Sequence, residues 1–290
     1  MAADQSVQHQ CPVVQTLPGP VSGAVSPPGM KTALTVVLPC YNEAERLPRT
    51  LEAYLAHLSR VPGEVEVLVV DDGSTDATSV VAEAVAAVDA RVRVLANRPN
   101  RGKGSAVRAG MLAGRGELLV FTDADGSYGP RDLDRIVRAL AQAPVAIGTR
   151  AEAATGPLTR RAASRAFNLA IRGLLELPFH DTQSGLKGFR RAAAQEIFSR
   201  TRLDGFAFDV EALFLARRLG LEIAEVNVQA RECQGSKVRM AVDAQRMLGE
   251  VWAVRQLAAS GAYGGLPVRH RQSKAALIDD SYAADIKQPA

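Results

Sequence analysis

The strongest constraint on the fold is a regular alternation of apolar runs and helix-spaced segments between residues 33 and 148. The apolar runs are short and rich in Val, Leu and Ile, as buried strands are. Predicted strands cover 33–38, 65–70, 92–95, 118–122 and 145–148, and predicted helices cover 44–58, 76–88, 104–113 and 131–141. Strand and helix in strict turn predict an α/β domain with a mostly parallel, Rossmann-like sheet and helices on both faces.

The pattern changes after Arg150. Shorter elements follow, with predicted strands at 183–190 and 221–228 and predicted helices at 192–199 and 208–219. Two cationic amphipathic helices are predicted at 159–177 and 238–258, and the second contains Trp252. Arg-rich faces beside apolar residues are typical of helices that lie on a membrane surface. Core packing with solvated arginines predicts the same pattern, so both interpretations stay open.

Composition indicates a globular chain, with 47% apolar and 23% charged residues among 290. Residues 1–30, rich in Pro, Gly, Ser and Gln, are predicted to be a flexible N-terminal tail, and 264–290 a flexible C-terminal tail. The domain between them, 31–263, divides into a first half, 31–150, and a second half, 151–263.

Neither a membrane-spanning helix nor a signal peptide is expected, because no apolar stretch approaches ~18 residues. The three cysteines are widely spaced, and none forms a CxxC pair. Such cysteines fit a reducing compartment, and we expect a cytoplasmic protein. The net charge of +4 indicates anionic partners only in a general way.

Acidic residues collect where the predicted strands end. Asp71 and Asp72 follow the second strand, and Asp123 and Asp125 follow the fourth. Carboxyl ends of parallel strands share one edge of the sheet, which is where α/β proteins bind ligands. Crowded carboxylates need a compensating cation, and Mg²⁺ or Mn²⁺ bridging to a diphosphate would supply it. Each segment alone could also be a solvated turn or a helix cap.

Two common nucleotide sites are excluded by their missing glycine patterns. The first strand is followed by Pro39, Cys40, Tyr41, Asn42 and Glu43, where a Rossmann dinucleotide site needs GxGxxG. The segment 101–105, RGKGS, does not match a Walker P-loop. It still opens a helix with glycines and Lys103, which suits an anion.

Four segments together carry a family resemblance: VVLPCYNE, VVDDGSTD, NRGKGSAVRAG and FTDADG, in this order. In these segments the chain resembles a family-2 glycosyltransferase with the GT-A fold, which is the nucleotide-diphospho-sugar transferase fold. The resemblance covers about residues 33–260. HDTQSGLKGFRR, FAFDVEALFLARRLG, IAEVNVQ and GSKV further resemble the dolichyl-phosphate β-glucosyltransferase branch, related to polyprenol-phosphate mannose synthases.

The resemblance implies a role for each matching residue. The nucleotide sugar would be bound by Pro39, Tyr41, Glu43, Asp71, Asp72, Lys103 and Asp123. The metal, Mg²⁺ or Mn²⁺, would be held by Asp123 and Asp125. The acceptor would be bound by Arg150, Arg165, Asp181, Gln183, Ser184 and Lys237. Catalysis would involve Asp125, Lys103 and Asp209. Asp209 and Glu211 fall near the position at which inverting relatives keep a catalytic carboxylate. Where mannose synthases tend to carry Gln, this chain has Ser127.

The function implied is inverting, metal-dependent transfer of a hexose, glucose from UDP-glucose, to a polyprenyl or dolichyl phosphate. The partners would be a nucleotide sugar, a polyprenyl phosphate and the cytoplasmic membrane face, to which the protein would attach peripherally; no nucleic acid is expected. An ionised phosphate acceptor needs little general base, whereas a hydroxyl acceptor would need one, with Asp209 as the candidate.

Several alternatives stay open at this point. They are a GDP-mannose-dependent polyprenol-phosphate mannosyltransferase, a family-2 enzyme with a soluble hydroxyl acceptor, and a non-catalytic nucleotide-sugar sensor. A nucleotidyltransferase would need a Gly-rich signature with a following Arg-Lys after the first strand, and none is present there.

Overall fold

The protein is built around one twisted sheet. The computed structural model describes residues 32–150, 173–179, 181–182, 184–230, 240–264 and 277–278. The strands are β1 Thr32–Cys40, β2 Glu64–Asp71, β3 Val92–Ala96, β4 Leu118–Phe121, β5 Val145–Arg150, β6 Lys187–Arg190, β7 Ile223–Val228 and β8 Leu277–Ile278. The helices are α1 Leu47–Leu58, α2 Thr78–Val88, α3 Lys103–Ala113, α4 Pro130–Ala139, α5 Arg191–Phe198, α6 Phe208–Arg218 and α7 Met240–Ala259.

The strand order is β3-β2-β1-β4-β6-β5-β7-β8. β6 runs antiparallel to both of its neighbours, β4 and β5, and the other neighbouring pairs are parallel. The predicted α/β class with a mostly parallel sheet is therefore confirmed. Leu277–Ile278, which form β8, lie within the predicted C-terminal tail and pair with β7. The sequence pattern did not predict β8.

Helices cover both faces of the sheet, as predicted, and neighbouring strand residues pack to opposite sides. Val36 and Leu38 join one apolar cluster, with residues of α1, α2 and α4, while Val37 joins the other, with residues of α3, α5, α6 and α7. Burial on both faces explains why these strands read as continuous apolar runs rather than as alternating ones.

The first strand is longer than predicted, which corrects the placement of one site residue. β1 continues to Cys40, so Pro39 lies inside the strand and pairs with Val70 of β2. Pairing with β4 ends at Val37. Pro39 therefore has a ladder neighbour on one side only, where a residue without an N–H group is tolerated.

No helix of the described residues is long and apolar enough to cross a membrane. The predicted helix at 159–177 falls mainly in residues 151–172, outside the described part of the chain. The predicted boundaries of the tails and of the two halves stay predictions.

Candidate active site

The loops after β1 and β2 form one hydrogen-bonded unit. Asn42, at φ 55°, accepts a hydrogen bond from the Thr75 amide at 2.8 Å, and its own amide donates to Ser74 Oγ at 2.9 Å. The Glu43 amide donates to Thr78 Oγ1 at 2.7 Å. Asn tolerates the left-handed conformation that this connection needs. Asn42 and Ser74 thus position the loop that carries Tyr41 and Glu43, a role the sequence interpretation missed.

The two neighbouring carboxylates of the second loop have different surroundings. Asp71 is fully buried; its Oδ1 accepts from the Ser74 amide at 3.0 Å, while its Oδ2 has no hydrogen-bond partner among the described residues. A buried acceptor without a donor is disfavoured, so Asp71 Oδ2 is suited to receive an N–H group from a ligand. Asp72 Oδ2 instead accepts from the Gly102 amide at 2.6 Å, and Asp72 Oδ1 from Asn97 Nδ2 at 3.1 Å. Its carboxylate therefore holds the loop before α3.

Lys103 and Asp123 form an ion pair where α3 begins. Lys103 Nζ lies 2.6 Å from Asp123 Oδ1, and the two side chains are 24% and 28% exposed. Burial alone would lower the pKa of Lys103, but the negative charges of Asp123 and Asp209 outweigh it and raise the pKa above its ordinary value. Lys103 therefore stays charged at neutral pH.

The turn before Lys103 requires glycine. Gly102 adopts φ 110°, and a Cβ there would lie 2.4 Å from the Asp204 carbonyl oxygen. The Gly104 amide donates to that same carbonyl at 2.8 Å. The loop before α3 therefore packs directly on the loop before α6, which brings Lys103 next to residues of the second half of the domain.

The loop after β4 is held from both ends. Asp125 Oδ1 accepts from the Ser127 amide at 2.9 Å and from Ser127 Oγ at 2.6 Å. Thr50 of α1 donates to the Ala124 carbonyl at 2.8 Å, and Tyr54 donates to the Tyr128 carbonyl at 3.0 Å. Ser127 thus orients Asp125, and α1 fixes the loop that carries both candidate metal ligands.

The segment before β6 packs against Asp123, which the sequence did not indicate. A Cβ added to Gly185 would lie 2.0 Å from Asp123 Oδ2. The Gly185 amide donates to Tyr128 Oη at 3.1 Å, and that hydroxyl also bonds Ser184 Oγ at 3.2 Å. Ser184 is buried and contributes to the packing of this loop. A side chain at residue 185 would therefore fit only if the Asp123 carboxylate or the segment itself moved.

A second lysine pairs with Asp209. Lys187 is fully buried; its ammonium lies 2.8 Å from Asp209 Oδ1 and 2.5 Å from the Ser184 carbonyl oxygen. Burial raises the pKa of Asp209 above its ordinary value, and the charges of Lys187 and Lys103 offset only part of that rise. The Asp209 carboxylate is therefore held in a buried ion pair. Lys187 is a site residue that the sequence interpretation missed.

Arg150, the last residue of β5, forms a bidentate ion pair with Asp181. Its Nε lies 2.7 Å from Asp181 Oδ2, and its Nη2 lies 3.3 Å from Asp181 Oδ1. The Arg150 side chain is 48% exposed. Burial acts to lower the pKa of Arg150, but the bond to Asp181 raises it overall, so the group keeps its charge. Arg165, Gln183 and Lys237, the other predicted acceptor residues, lie outside the described residues.

Glu211 has a structural position. It is fully buried, and it accepts hydrogen bonds from the Arg202 amide at 2.8 Å, the Leu203 amide at 2.9 Å and Tyr263 Oη at 2.7 Å. These bonds join the loop before α6 to the segment after α7.

The donor set limits the kind of metal that this site could hold. Within the described residues there is no cluster of three or more His, Cys, Asp or Glu side chains able to hold an ion. Asp123 and Asp125 offer carboxylate oxygens from one loop, and the charged Lys103 already lies against Asp123. Two hard carboxylates fit Mg²⁺ or Mn²⁺, which take phosphate oxygens and waters as their remaining ligands.

A mostly parallel sheet with this strand order, and with carboxylates where β2 and β4 end, is the architecture of a glycosyltransferase of the GT-A fold. The sequence profile described as Glycosyl transferase family 2 matches residues 35–198, more than half of the chain. The chain belongs to glycosyltransferase family 2, and both the predicted family and the predicted GT-A fold are confirmed.

Two similar proteins carry the same name. A dolichyl-phosphate beta-glucosyltransferase of Drosophila melanogaster is 40% identical over 224 residues, covering 71% of this chain and 69% of the relative. The Homo sapiens protein of that name is 37% identical over the same shares. A crystal structure of glucosyl-3-phosphoglycerate synthase from Mycobacterium tuberculosis, in complex with uridine diphosphate, superposes with a TM-score of 0.59 and 26% identity, covering 79% of this chain and 80% of that one.

Proposed function

We propose that this glycosyltransferase transfers glucose from UDP-glucose to a polyprenyl phosphate, with a divalent metal and with inversion at the anomeric carbon. The observation that carries the proposal is the Lys103–Asp123 pair, at 2.6 Å, at the sheet edge that also holds Asp71. The names of the relatives support the sugar and the class of acceptor.

The protein would contact the nucleotide sugar at two places, its base and its diphosphate. Asp71 Oδ2 is a buried acceptor without a partner among the described residues, and the ring N–H of uracil is the kind of donor it lacks. UDP is also the ligand in the similar solved structure. Lys103 would bind the diphosphate and stabilise the charge that grows on it as the glycosidic bond breaks. A bound Mg²⁺ or Mn²⁺, held by Asp123 and Asp125, would draw charge from the same leaving group.

A phosphate acceptor fits the surroundings of Asp209. A hydroxyl acceptor needs a base in contact with it, but Asp209 is 5% exposed, and its Oδ1 is bonded to Lys187. A phosphate monoester is already ionised near neutral pH and needs little help from a base. Arg150 is half exposed, and its planar guanidinium is suited to phosphate oxygens.

The test is a panel of donors and acceptors with Mn²⁺ or Mg²⁺, read by mass spectrometry. UDP-glucose and GDP-mannose are each offered a short polyprenyl phosphate, the matching polyprenol and 3-phosphoglycerate. We expect glucose on the polyprenyl phosphate only, with a β linkage by nuclear magnetic resonance. Mannose transfer, glucose on an alcohol or on 3-phosphoglycerate, or UDP binding without any transfer would each contradict the proposal and support the corresponding alternative.

Arg150 provides a test of the acceptor side alone. The Arg150→Lys variant keeps the positive charge but loses the planar fork, so the KM for polyprenyl phosphate should rise by about tenfold. The KM for UDP-glucose should stay within about twofold. Steady-state kinetics with each substrate varied in turn make the comparison, and an equal rise of both KM values would contradict the assignment.

The membrane contact is proposed for α7. Trp252 is 53% exposed, and the Arg255 guanidinium lies 6.0 Å from its ring centroid. A half-exposed Trp beside Arg is the composition of a helix face that binds anionic lipid. We expect Trp252→Ala to lower co-sedimentation with phosphatidylserine-containing vesicles by about fivefold. Val88→Ala, at an apolar residue of α2 that is 83% exposed, is the control, and equal losses in both variants would contradict this face.

A further inference from the structure

We infer that Lys187 is a positioning residue for the reaction. By neutralising Asp209, it allows Lys103 to stay paired with Asp123, where the donor's diphosphate is proposed to bind. This inference rests on the proposed donor. Lys187 is one of the largest fully buried side chains, in a strand between β4 and β5. A buried ion pair seldom stabilises a fold more than apolar side chains of similar size would, so its presence here points to a use in the site.

Each of the two lysines lies over one ring of the same aromatic pair. Lys103 Nζ is 5.9 Å from the ring centroid of Phe208, the residue before Asp209, and Lys187 Nζ is 5.6 Å from that of Phe121. The two ring centroids are 5.6 Å apart. Asp209 therefore lies within reach of the charge of both ammonium groups, although among the described residues only Lys187 is hydrogen-bonded to it.

The charges of this cluster balance as two pairs, Lys187 with Asp209 and Lys103 with Asp123. Without the Lys187 ammonium, the carboxylate of Asp209 would be buried and uncompensated, and among the described residues Lys103 is the other cation whose charge acts on it. Attraction between unlike charges grows as the surroundings become less polar, so Lys103 would move toward Asp209 and away from Asp123. The diphosphate would then lose its lysine although Lys103 itself is intact.

Calorimetric titration with UDP in the presence of Mn²⁺ tests this, with uridine as the matched probe that lacks the diphosphate. Lys187→Gln should weaken UDP binding by about tenfold and leave uridine binding within about twofold. The double variant Lys187→Gln/Asp209→Asn removes both charges, so UDP affinity should return to within about threefold of the wild type. In a Lys103→Met background, Lys187→Gln should weaken UDP binding no further.

Equal losses of UDP and uridine affinity would indicate a general structural role and overturn the inference, as would independent effects in the Lys103→Met background. If Lys187→Gln does not fold, the double variant replaces it. The double variant leaves neither an uncompensated carboxylate nor an uncompensated ammonium at this pair, so tenfold weaker UDP binding in it overturns the inference. A wild type that binds UDP but glucosylates no polyprenyl phosphate refutes the proposed acceptor and leaves this test intact. A wild type that binds no UDP refutes both.

Discussion

Replacing Asp123 by Asn should lower kcat for glucose transfer by about 10²- to 10³-fold, which is the range found when one electrostatic contact to charge developing in the transition state is lost. Asp123 carries two proposed functions at once. It is a candidate metal ligand, and it is the partner that fixes Lys103, whose Nζ lies 2.6 Å from it. The neutral amide would weaken both contacts to the diphosphate. The measurement is steady-state turnover of UDP-glucose and polyprenyl phosphate over a range of Mn²⁺ concentrations.

Two further measurements decide how that loss is interpreted. Asp123 is partly exposed, so Asp123→Asn should keep a melting temperature within a few degrees of the wild type. Glu83→Gln removes an exposed carboxylate of α2 that accepts a hydrogen bond from Ser79 Oγ of the same helix, and it should leave kcat unchanged. Turnover of Asp123→Asn within tenfold of the wild type would contradict the assignment of Asp123 to the diphosphate site.

The fold and the outer frame of the site could be predicted because both depend on short-range patterns. Strands buried on both faces appear as continuous apolar runs, and parallel strands bring their carboxyl ends to one edge. Asp71 and Asp123 could therefore be assigned to the same edge from the sequence. Asp72 could not be distinguished from Asp71 in this way, because its hydrogen bonds to the Gly102 amide and to Asn97 join segments that are distant in sequence.

The interior of the site could not be predicted for the same reason. Lys187 pairs with Asp209 across 22 residues, and the antiparallel insertion of β6 between β4 and β5 brings them together. The sequence did offer one signal, a lysine within a predicted strand whose neighbours are apolar. A charge in such a run is expected either at an exposed edge or in a buried pair, and only the strand order decides between them.

The Gly185→Ala substitution should lower kcat by about 10²-fold while the protein stays folded. The added Cβ would lie 2.0 Å from Asp123 Oδ2, closer than any van der Waals contact allows. Gly185 has no positive φ, so the backbone itself accepts alanine. The short Asp123 side chain can swing aside more easily than the sheet can move, and the strain is therefore relieved by turning its carboxylate away from Lys103.

The control is Gly249→Ala on α7, where a Cβ would meet nothing within 4 Å and alanine favours the helix. Gly249→Ala should match the wild type in turnover and melt at the same temperature or slightly higher. For Gly185→Ala we expect the loss of kcat with weaker UDP binding in Mn²⁺ and unchanged uridine binding, because only the diphosphate end of the site is displaced. A variant that keeps full turnover would show that the Gly185 segment yields instead of Asp123, and one that fails to fold would show that the contact is structural. Either outcome would remove the argument that close packing at Gly185 holds the Asp123 carboxylate in its catalytic position.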